Sequence, residues 1–333
     1  MMVDLNTCQT QVQADTTCCG TLTGVSVPTF LVAGAAREGT TALINGLKRH
    51  PRVFVTVPKE PHYFALHGQR LAFSGPGDQV MINERAVTDE AAYVGLYPED
   101  AGEFEALGEG STSSLYYYEQ AIPEIIRLAP DVKVLVILRD PVARAQSAHD
   151  YLISRGYESE PSLLAAVAME PRRIATGYHH LWHYTAMGRY ADALAAYRDA
   201  LGPERVRVVF DDALRGDPRS VLVPLLRFIG TTPAPGEGDP LEPVNVSGQQ
   251  RSGLLGHLIR LTNGTPALRR LVQQRTTWEE REQLRRLLLK RRPGVPAEVR
   301  NALAPMFADE IERLRVLVPD LTGGAPLPGW LKN

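Results

Sequence analysis

The stretch Phe30–Leu43 reads FLVAGAAREGTTAL, and the organisation of the chain follows from it. Its apolar start predicts a buried strand, its glycines predict a turn, and the residues from Thr40 onward predict a helix. Gly34 and Gly39 have the glycine spacing of a phosphate-binding P-loop, but Thr40 stands where nucleotide triphosphatases have lysine. Backbone N–H groups at such a helix start, together with the charge of Arg37, suit an oxyanion. An ordinary strand-to-helix turn is the alternative that this stretch leaves open.

The composition is that of a globular protein. The chain has 333 residues, 44% hydrophobic and 22% charged, which is enough to bury a sizeable core. A formal net charge of -2 argues against general binding to nucleic acid. No apolar run reaches the length of about 18 residues that a membrane span needs, and no secretory signal pattern is found, so we expect no membrane association.

All three cysteines, Cys8, Cys18 and Cys19, precede the first predicted strand. Their spacing fits no metal motif, and neighbouring cysteines rarely pair with each other, so we expect a reducing, cytoplasmic environment. Residues 1–25 are rich in Thr and Gln and are expected to form a flexible tail. Residues 26–333 are expected to form one domain, since no linker demands two. Nothing in the sequence indicates an oligomeric state.

Predicted strands alternate with predicted helices, which indicates an α/β fold: a single P-loop-like domain whose central, mostly parallel sheet is flanked by helices. The segment 66–92 has no clear period and is expected to be an active-site loop or lid, and 230–243 is expected to be a loop. The predicted strands are 28–33, 53–55, 132–138 and 206–210. The predicted helices are 40–50, 121–129, 141–154, 162–169, 188–201, 218–229, 279–290 and 296–318.

Lys59, Glu60 and His62 form a dense set of titratable groups directly after the second predicted strand. Pro61 keeps Glu60 out of helical geometry. Either Glu60 or His62 is a candidate to accept a proton from an attacking hydroxyl. A surface turn with a salt bridge is the alternative.

Arg139 and Asp140 end the strand with the strongest apolar pattern, and Ser147 lies on the helix that follows. Ligands of parallel sheets bind at the carboxyl ends of the strands, so Arg139 and Ser147 are candidates for a second phosphate site. Asp140 is better suited to cap the helix. The alternative is a structural role, in which Asp140 caps the helix and Arg139 pairs with Asp140.

Taken together, these motifs resemble those of the sulfotransferases that use 3′-phosphoadenosine-5′-phosphosulfate (PAPS), in particular the bacterial and heparan N-sulfotransferase-like branch. The resemblance covers about residues 28–330, and the order and spacing of the motifs make it specific. The motifs are GAAREGTT, KEPHYF, GEGSTSSLYY, LRDPVARAQSAHDYL, MGRYADAL, VVFDDALRGDP and NVSGQQRS.

The resemblance implies a role for each candidate. Glu60 takes the position of the catalytic base, His62 is a weaker candidate for base or helper, and Lys59 is implied to steady the sulfate or the acceptor. The loop from Arg37 to Thr41 is implied to hold the 5′-phosphosulfate. Arg139 and Ser147 are implied to bind the 3′-phosphate, and Arg251 is implied to close over the nucleotide. The residues of the implied nucleotide site are Arg37, Glu38, Gly39, Thr40, Thr41, Arg139, Ser147 and Arg251.

Two residues of the loop depart from the family pattern. Many family members have lysine at the position of Arg37, and an arginine there acts only through its charge because it does not give up a proton. Glu38 takes a place that a small residue usually holds. A carboxylate that points into an anion site is unfavourable, so we expect Glu38 to point outward or to pair with a neighbouring arginine or lysine.

The implied reaction moves a sulfuryl group from PAPS to the hydroxyl or amine of a small-molecule or carbohydrate acceptor, leaves the product nucleotide PAP, and is expected to need no metal. The segment 66–92 and the run Tyr116 to Tyr118 are expected to shape the acceptor pocket, and specialised metabolism is the expected setting. A P-loop nucleotide kinase and a non-catalytic nucleotide-binding module are the alternatives.

Overall fold

The computed structural model describes residues 21–22, 25–232, 248–250, 289–291 and 294–332. Its centre is a five-stranded sheet in the order β4-β5-β3-β6-β7, and every pair of neighbouring strands in it is parallel. The predicted α/β class with a parallel sheet is therefore confirmed. The strands are β3 (Phe30–Gly34), β4 (Val53–Val55), β5 (Ala106–Glu109), β6 (Lys133–Leu138) and β7 (Val206–Phe210).

Short two-stranded antiparallel pairs lie outside the central sheet. The first joins β1 (Thr21–Leu22) to β2 (Val25–Ser26), and the second joins β8 (Gly248–Gln250) to β9 (Leu289–Arg291). The helix predicted for 279–290 lies mostly outside the described residues, and its last two positions belong to β9. Most of the loop predicted for 230–243 also lies outside them.

Helices cover both faces of the sheet and connect its strands. In the N-terminal half they are α1 (Thr40–Leu47), α2 (Tyr63–Leu66), α3 (Glu90–Val94), α4 (Ser113–Tyr116), α5 (Tyr118–Leu128) and α6 (Pro141–Ser154). In the C-terminal half they are α7 (Leu163–Ala168), α8 (Glu170–Ala175), α9 (Ala191–Leu201), α10 (Asp211–Gly216), α11 (Pro218–Ile229), α12 (Ala297–Leu303), α13 (Ala308–Leu317) and α14 (Gly329–Lys332). Within the described part of the chain, none of these helices is long and apolar enough to cross a membrane.

Burial on both faces explains the continuous apolar character of the strands. Leu31 and Ala33 of β3 pack in a cluster with α5, α9 and α13, whereas Phe30 and Val32 of the same strand pack on the opposite face with α1 and α11. A one-residue slip of β3 would exchange these sets, so both core clusters fix its register.

Several predicted helices differ from the structure in length. The helix predicted for 296–318 is interrupted, because Ala304–Phe307 forms a 3-10 turn at Pro305 between α12 and α13. The segment 66–92 contains a π-helical turn, Gln79–Asn83, and the first residues of α3. Strand β5 was not predicted at all.

The parallel arrangement places the carboxyl ends of all five strands at one edge of the sheet. Loop 35–39 follows β3, Lys59 and Glu60 follow β4, and Arg139 follows β6. The strand order changes direction between β3 and β5, which is where ligands of open α/β sheets bind. The fold therefore assembles at one edge residues that are widely separated in sequence.

Candidate active site

The turn after β3 leaves the start of α1 open. Gly39 has φ 92° and caps α1 without any side-chain hydrogen bond, and no acidic residue occupies the first helical turn. A Cβ at Gly39 would lie 3.0 Å from Oδ1 of Asp211, so a larger residue would be both strained and crowded here. The start of α1 at Thr40 and Thr41 therefore has no side-chain cap and no acidic residue in its own first turn, although the carboxylate of the buried Asp211 lies close to the turn.

Arg37 takes the left-handed conformation that is uncommon outside glycine, with φ 73°. Its guanidinium lies 4.2 Å from the ring centre of Tyr151 on α6. Ser147 lies one helical turn before Tyr151 on that helix and is 8% exposed. Two candidate residues from distant motifs, Arg37 and Ser147, are therefore held near the same face of α6.

Glu38 points into the protein and is completely buried. The hydroxyl of Tyr190 donates a hydrogen bond to its Oε1. Burial raises the pKa of Glu38 well above its usual value, and the Tyr190 hydrogen bond opposes that shift only in part. The expectation that Glu38 points outward is wrong, and its hydrogen bond comes from a hydroxyl rather than from a cation. A carboxyl that is turned inward and bonded to Tyr190 does not point at an anion on the loop.

Arg139 joins the loop to the end of β7. Its Nη1 donates to the backbone oxygen of Arg37 at 3.4 Å, and its Nε lies 3.4 Å from Oδ2 of the buried Asp211. Asp211 also forms an ion pair with Arg215. The alternative pairing of Arg139 with Asp140 is therefore not what the structure has, since the Asp140 carboxylate accepts from Val142 N at 2.9 Å as the N-cap of α6 and binds Arg300 at 2.6 Å.

Glu60 lies at the same edge with its side chain 29% exposed. It forms an ion pair with Lys59, and Nε2 of His62 lies 3.8 Å from its Oε2. Burial alone would raise the pKa of Glu60, but the charge and hydrogen bond of Lys59 and the charge of Arg37 lower it. Glu60 is therefore ionised at neutral pH and able to accept a proton.

His62 is buried, and its surroundings keep it uncharged. Burial lowers its pKa to about 4, and the negative charge of Glu60 opposes that shift only in part. Its Nδ1 lies 2.8 Å from Oγ of Ser113, and its backbone N–H donates to Oγ of Ser111 at 2.7 Å. Sequence reasoning missed both serines as site residues, although they lie in the quoted motif GEGSTSSLYY.

A further buried carboxyl, Glu109, ends β5 beside this group. It accepts a hydrogen bond from the Ser111 hydroxyl and is 1% exposed. Burial raises the pKa of Glu109 to about 8, and the charge of Glu60 adds to the shift while the Ser111 hydrogen bonds oppose it. Glu109 is therefore mostly protonated at neutral pH.

The raised pKa of Glu109 predicts a specific pH dependence of stability. In the unfolded chain Glu109 ionises near a pH of about 4.3. Its contribution to the free energy of unfolding is therefore fully present below that pH and is lost as the pH rises toward its folded pKa of about 8. Glu109→Gln removes this loss. We expect the free energy of unfolding of the variant, relative to that of wild type, to increase by on the order of 1 kcal/mol per pH unit between about pH 5 and 7. Urea denaturation measures it. The exposed Glu99→Gln is the control, and a difference between Glu109→Gln and wild type that stays constant with pH would contradict the assignment.

The segment 66–92 is anchored at its centre by Asp78. The fully buried carboxylate of Asp78 accepts from Gly75 N at 2.8 Å, His179 N at 3.0 Å, His179 Nδ1 at 2.7 Å and Trp182 Nε1 at 2.8 Å. His179 follows Asp78 by 101 residues, and nothing local in the sequence signals the contact. The segment expected to be a loop or lid is thus fixed to the 179–182 turn at this point.

That turn also places the ring of His180 beside His62 and Tyr116. The ring centre of His180 lies 6.3 Å from that of His62 and 5.9 Å from that of Tyr116, with which it is stacked. The hydroxyl of Tyr116 lies 2.7 Å from Nδ1 of His183. Sequence reasoning named Tyr116 to Tyr118 as part of an acceptor pocket but missed the histidines that contact them.

One candidate cannot be placed. Arg251 lies outside the described residues. The strand immediately before it, Gly248–Gln250, packs beside α6, the helix that carries Ser147. Among the described residues, no three His, Cys, Asp or Glu side chains are grouped as ligands of a metal ion.

Comparisons with known proteins find similarity to sulfotransferases. No protein-family model matches the chain. The chain is 25% identical over 204 residues to heparan sulfate glucosamine 3-O-sulfotransferase 6 of Mus musculus, a stretch that covers 61% of this chain and 52% of the relative. It is 24% identical over 217 residues to the bifunctional heparan sulfate N-deacetylase/N-sulfotransferase 4 of the same species, covering 62% of this chain and 23% of that protein. The matched stretch thus spans about half of the first relative and about a quarter of the second.

Among solved structures, the chain matches a sulfotransferase from Alicyclobacillus acidocaldarius along nearly its whole length. The TM-score is 0.68, the sequence identity is 27%, and the match covers 92% of this chain and 99% of that one. The likeness therefore extends to the whole fold and is not limited to the P-loop-like turn.

Proposed function

Since the chain belongs to the sulfotransferase family by sequence and by fold, we propose that it transfers a sulfuryl group from PAPS to a hydroxyl or amine of a carbohydrate or small-molecule acceptor. The observation that carries the proposal is the meeting of an open helix start, two arginines and an ionised glutamate at one edge of the sheet. In this transfer the sulfur–oxygen bond to the nucleotide breaks, a bond from sulfur to the acceptor forms, and the proton of the acceptor goes to Glu60.

The residues of the loop suit the phosphate groups of PAPS. Arg37 and Arg139 supply fixed positive charge, and the N–H groups at the start of α1 supply directed donors. Thr40 and Thr41 add hydroxyls at the same helix start. Glu38, whose carboxyl is turned inward to Tyr190, would contribute its backbone rather than its carboxyl. Bound PAPS would supply the activated sulfuryl group, and the described residues provide a charge-complementary place for it.

The two ends of the transfer would be served by different residues. Charge that grows on the leaving nucleotide would be stabilised by Arg37 and the α1 N–H groups, which are fixed in place before the reaction. Glu60 would accept the acceptor's proton, and Lys59, paired with Glu60, would steady the sulfuryl group or the acceptor. Ser147 and Arg139 are proposed for the 3′-phosphate, with Arg251 closing from the far side.

The acceptor class is proposed from the relatives. These relatives are named for sulfation of a glucosamine hydroxyl and of an amine in heparan sulfate. We therefore propose a carbohydrate acceptor before a small specialised metabolite. The kinase alternative is not supported, because the loop has Thr40 where a P-loop kinase has the lysine that reaches the nucleotide phosphates. A tail over residues 1–25, whose last residues belong to the β1–β2 pair, a domain spanning residues 26–333 and a cytoplasmic location remain part of the proposal.

Thermal denaturation with nucleotides tests this function. A ligand that binds the folded state raises the melting temperature. We expect PAP to raise it in a concentration-dependent way and ATP with Mg²⁺ to raise it much less. Stabilisation by ATP and Mg²⁺ alone would favour the kinase, and stabilisation by neither nucleotide would contradict the proposal.

Arg139→Ala tests the proposed nucleotide site. Loss of a charge-assisted phosphate contact costs about 1.5–3 kcal/mol, so the affinity for PAP is expected to fall by about 10- to 100-fold. Isothermal titration calorimetry with PAP measures it. Arg198→Ala is the control, because Arg198 lies on α9 and forms a surface ion pair with its neighbour Asp199. Equal PAP affinity in the two variants would remove Arg139 from the site.

A further inference from the structure

His62 is held by separate serines at its backbone and at its ring. Its backbone has φ 60°, and its N–H donates to Ser111 Oγ at 2.7 Å, while the Ser111 hydroxyl donates to the carboxyl of Glu109. The ring nitrogen Nδ1 lies 2.8 Å from Ser113 Oγ. These contacts fix both the left-handed turn at His62 and the plane of its ring.

The direction of the Ser113 hydrogen bond follows from burial. Ser113 is completely buried, and Nδ1 of His62 is the one partner that its hydroxyl has among the described residues. A buried hydroxyl proton without an acceptor is costly, so Ser113 donates and Nδ1 accepts. The single proton of the neutral imidazole then lies on Nε2.

The position of Nε2 supports the same assignment independently. Nε2 lies 3.8 Å from Oε2 of Glu60, and no other carboxylate forms an ion pair with His62 in the described part of the chain. An N–H directed at a carboxylate is attractive, whereas an imidazole lone pair directed at it is repulsive. Both ring nitrogens therefore indicate the Nε2–H tautomer.

We propose that Ser113 and His62 are positioning residues for the base: Ser113 fixes His62 as its Nε2–H tautomer, and this N–H orients the carboxylate of Glu60 toward the acceptor. The inference rests on the proposed function for the role of Glu60. It makes His62 a donor and not the alternative base that the sequence left open. Glu109 and Ser111 hold the backbone of His62 in place for that contact.

Charged and titratable groups surround both Glu60 and His62. Besides His62, the groups that face Glu60 are Lys59, Arg37 and Glu109. Those that face His62, besides Glu60 and Lys59, are His179 and Arg85. Removing the N–H of His62 leaves the cations in place but takes away one stabilising partner of the Glu60 carboxylate. The proton affinity of Glu60 is therefore expected to rise.

Nitrogen-15 NMR of the histidine side chains of the full chain at pH 7 tests the tautomer without any acceptor. The signal of His62 is assigned by its loss in His62→Gln. We expect wild type to show a protonated Nε2 and an unprotonated Nδ1, and Ser113→Ala to lose this single-tautomer signature. Ser114→Ala is the matched control, because the Ser114 hydroxyl is buried without a hydrogen-bond partner in the described part of the chain. A wild-type proton on Nδ1, or an unchanged His62 signal in Ser113→Ala, would overturn the inference.

Conversion of PAPS to PAP with water as acceptor tests the role. His62→Gln keeps an amide N–H near the position of Nε2 and is expected to retain most of the rate, whereas His62→Asn is too short and should lose about tenfold or more. In Ser113→Ala the acidic limb of kcat/KM should move to higher pH, while Ser114→Ala matches wild type. Equal inactivity of His62→Gln and His62→Asn would make His62 the base and overturn the inference. No PAPS turnover by wild type would instead contradict the proposed function, and NMR would still decide the tautomer.

Discussion

Glu60→Gln is expected to slow sulfuryl transfer at least about a hundredfold, because a general base contributes 10²–10⁴ in rate. The substitution keeps the size of the side chain and removes its ability to accept a proton. PAP affinity should stay close to that of wild type, since Glu60 faces the acceptor in the proposed site and not the phosphates. Single-turnover release of PAP from PAPS measures the rate, and calorimetry with PAP measures the affinity.

The control for this variant is Glu103→Gln, which changes an exposed glutamate away from the site. It should match wild type in both measurements. If Glu60→Gln weakens PAP binding and transfer together, Glu60 braces Lys59 and the loop and is not the base. Near-normal turnover of Glu60→Gln would exclude the base assignment altogether.

Asp78→Ala is expected to lower the free energy of unfolding by about 3–5 kcal/mol, the usual cost of removing one partner of a buried charged pair. The substitution leaves the N–H groups of Gly75, His179 and Trp182 without their shared acceptor in a buried place. Because a domain of this kind has only about 5–15 kcal/mol of total stability, the loss should be plain in urea denaturation.

The exposed Asp131→Ala serves as the control and should change stability by no more than about 0.5 kcal/mol. The pH dependence gives a second check. Burial would raise the pKa of Asp78, but the hydrogen bonds and charge of His179 together lower it, so its contribution is present above the unfolded pKa of about 3.9 and is lost as pH falls below that value. Coincident denaturation curves for the two variants at pH 7 would contradict the anchoring role.

The regular elements were predictable where the sequence pattern matched the period of the element. Strand Val206–Phe210 and helices Pro141–Ser154 and Pro218–Ile229 begin and end at the predicted residues. Strand Ala106–Glu109 was missed because its residues, ALGE, include no β-branched or aromatic side chain. It is a strand because β3 and β4 on either side pair with it, which is a tertiary effect.

The site was predictable where one rule of sheet topology covers it. Residues after parallel strands meet at one edge, and this rule placed Arg139 near the loop, as its contact with the Arg37 carbonyl confirms. The same rule, applied to β7, would have found Asp211. The inward orientation of Glu38 was not predictable, because its partner Tyr190 lies 152 residues away in sequence. The contact of Asp78 with His179 depends on the full fold.

Sulfuryl transfer by this protein is best measured by incubating the full chain with PAPS that carries labelled sulfate, with N-desulfated heparan sulfate, p-nitrophenol or water as acceptor. We expect wild type to convert PAPS to PAP and to move the label to an acceptor, fastest with the carbohydrate, and Glu60→Gln to do so at least about a hundred times more slowly. Loss of PAPS at the same slow rate with wild type, with Glu60→Gln and in buffer alone would contradict it.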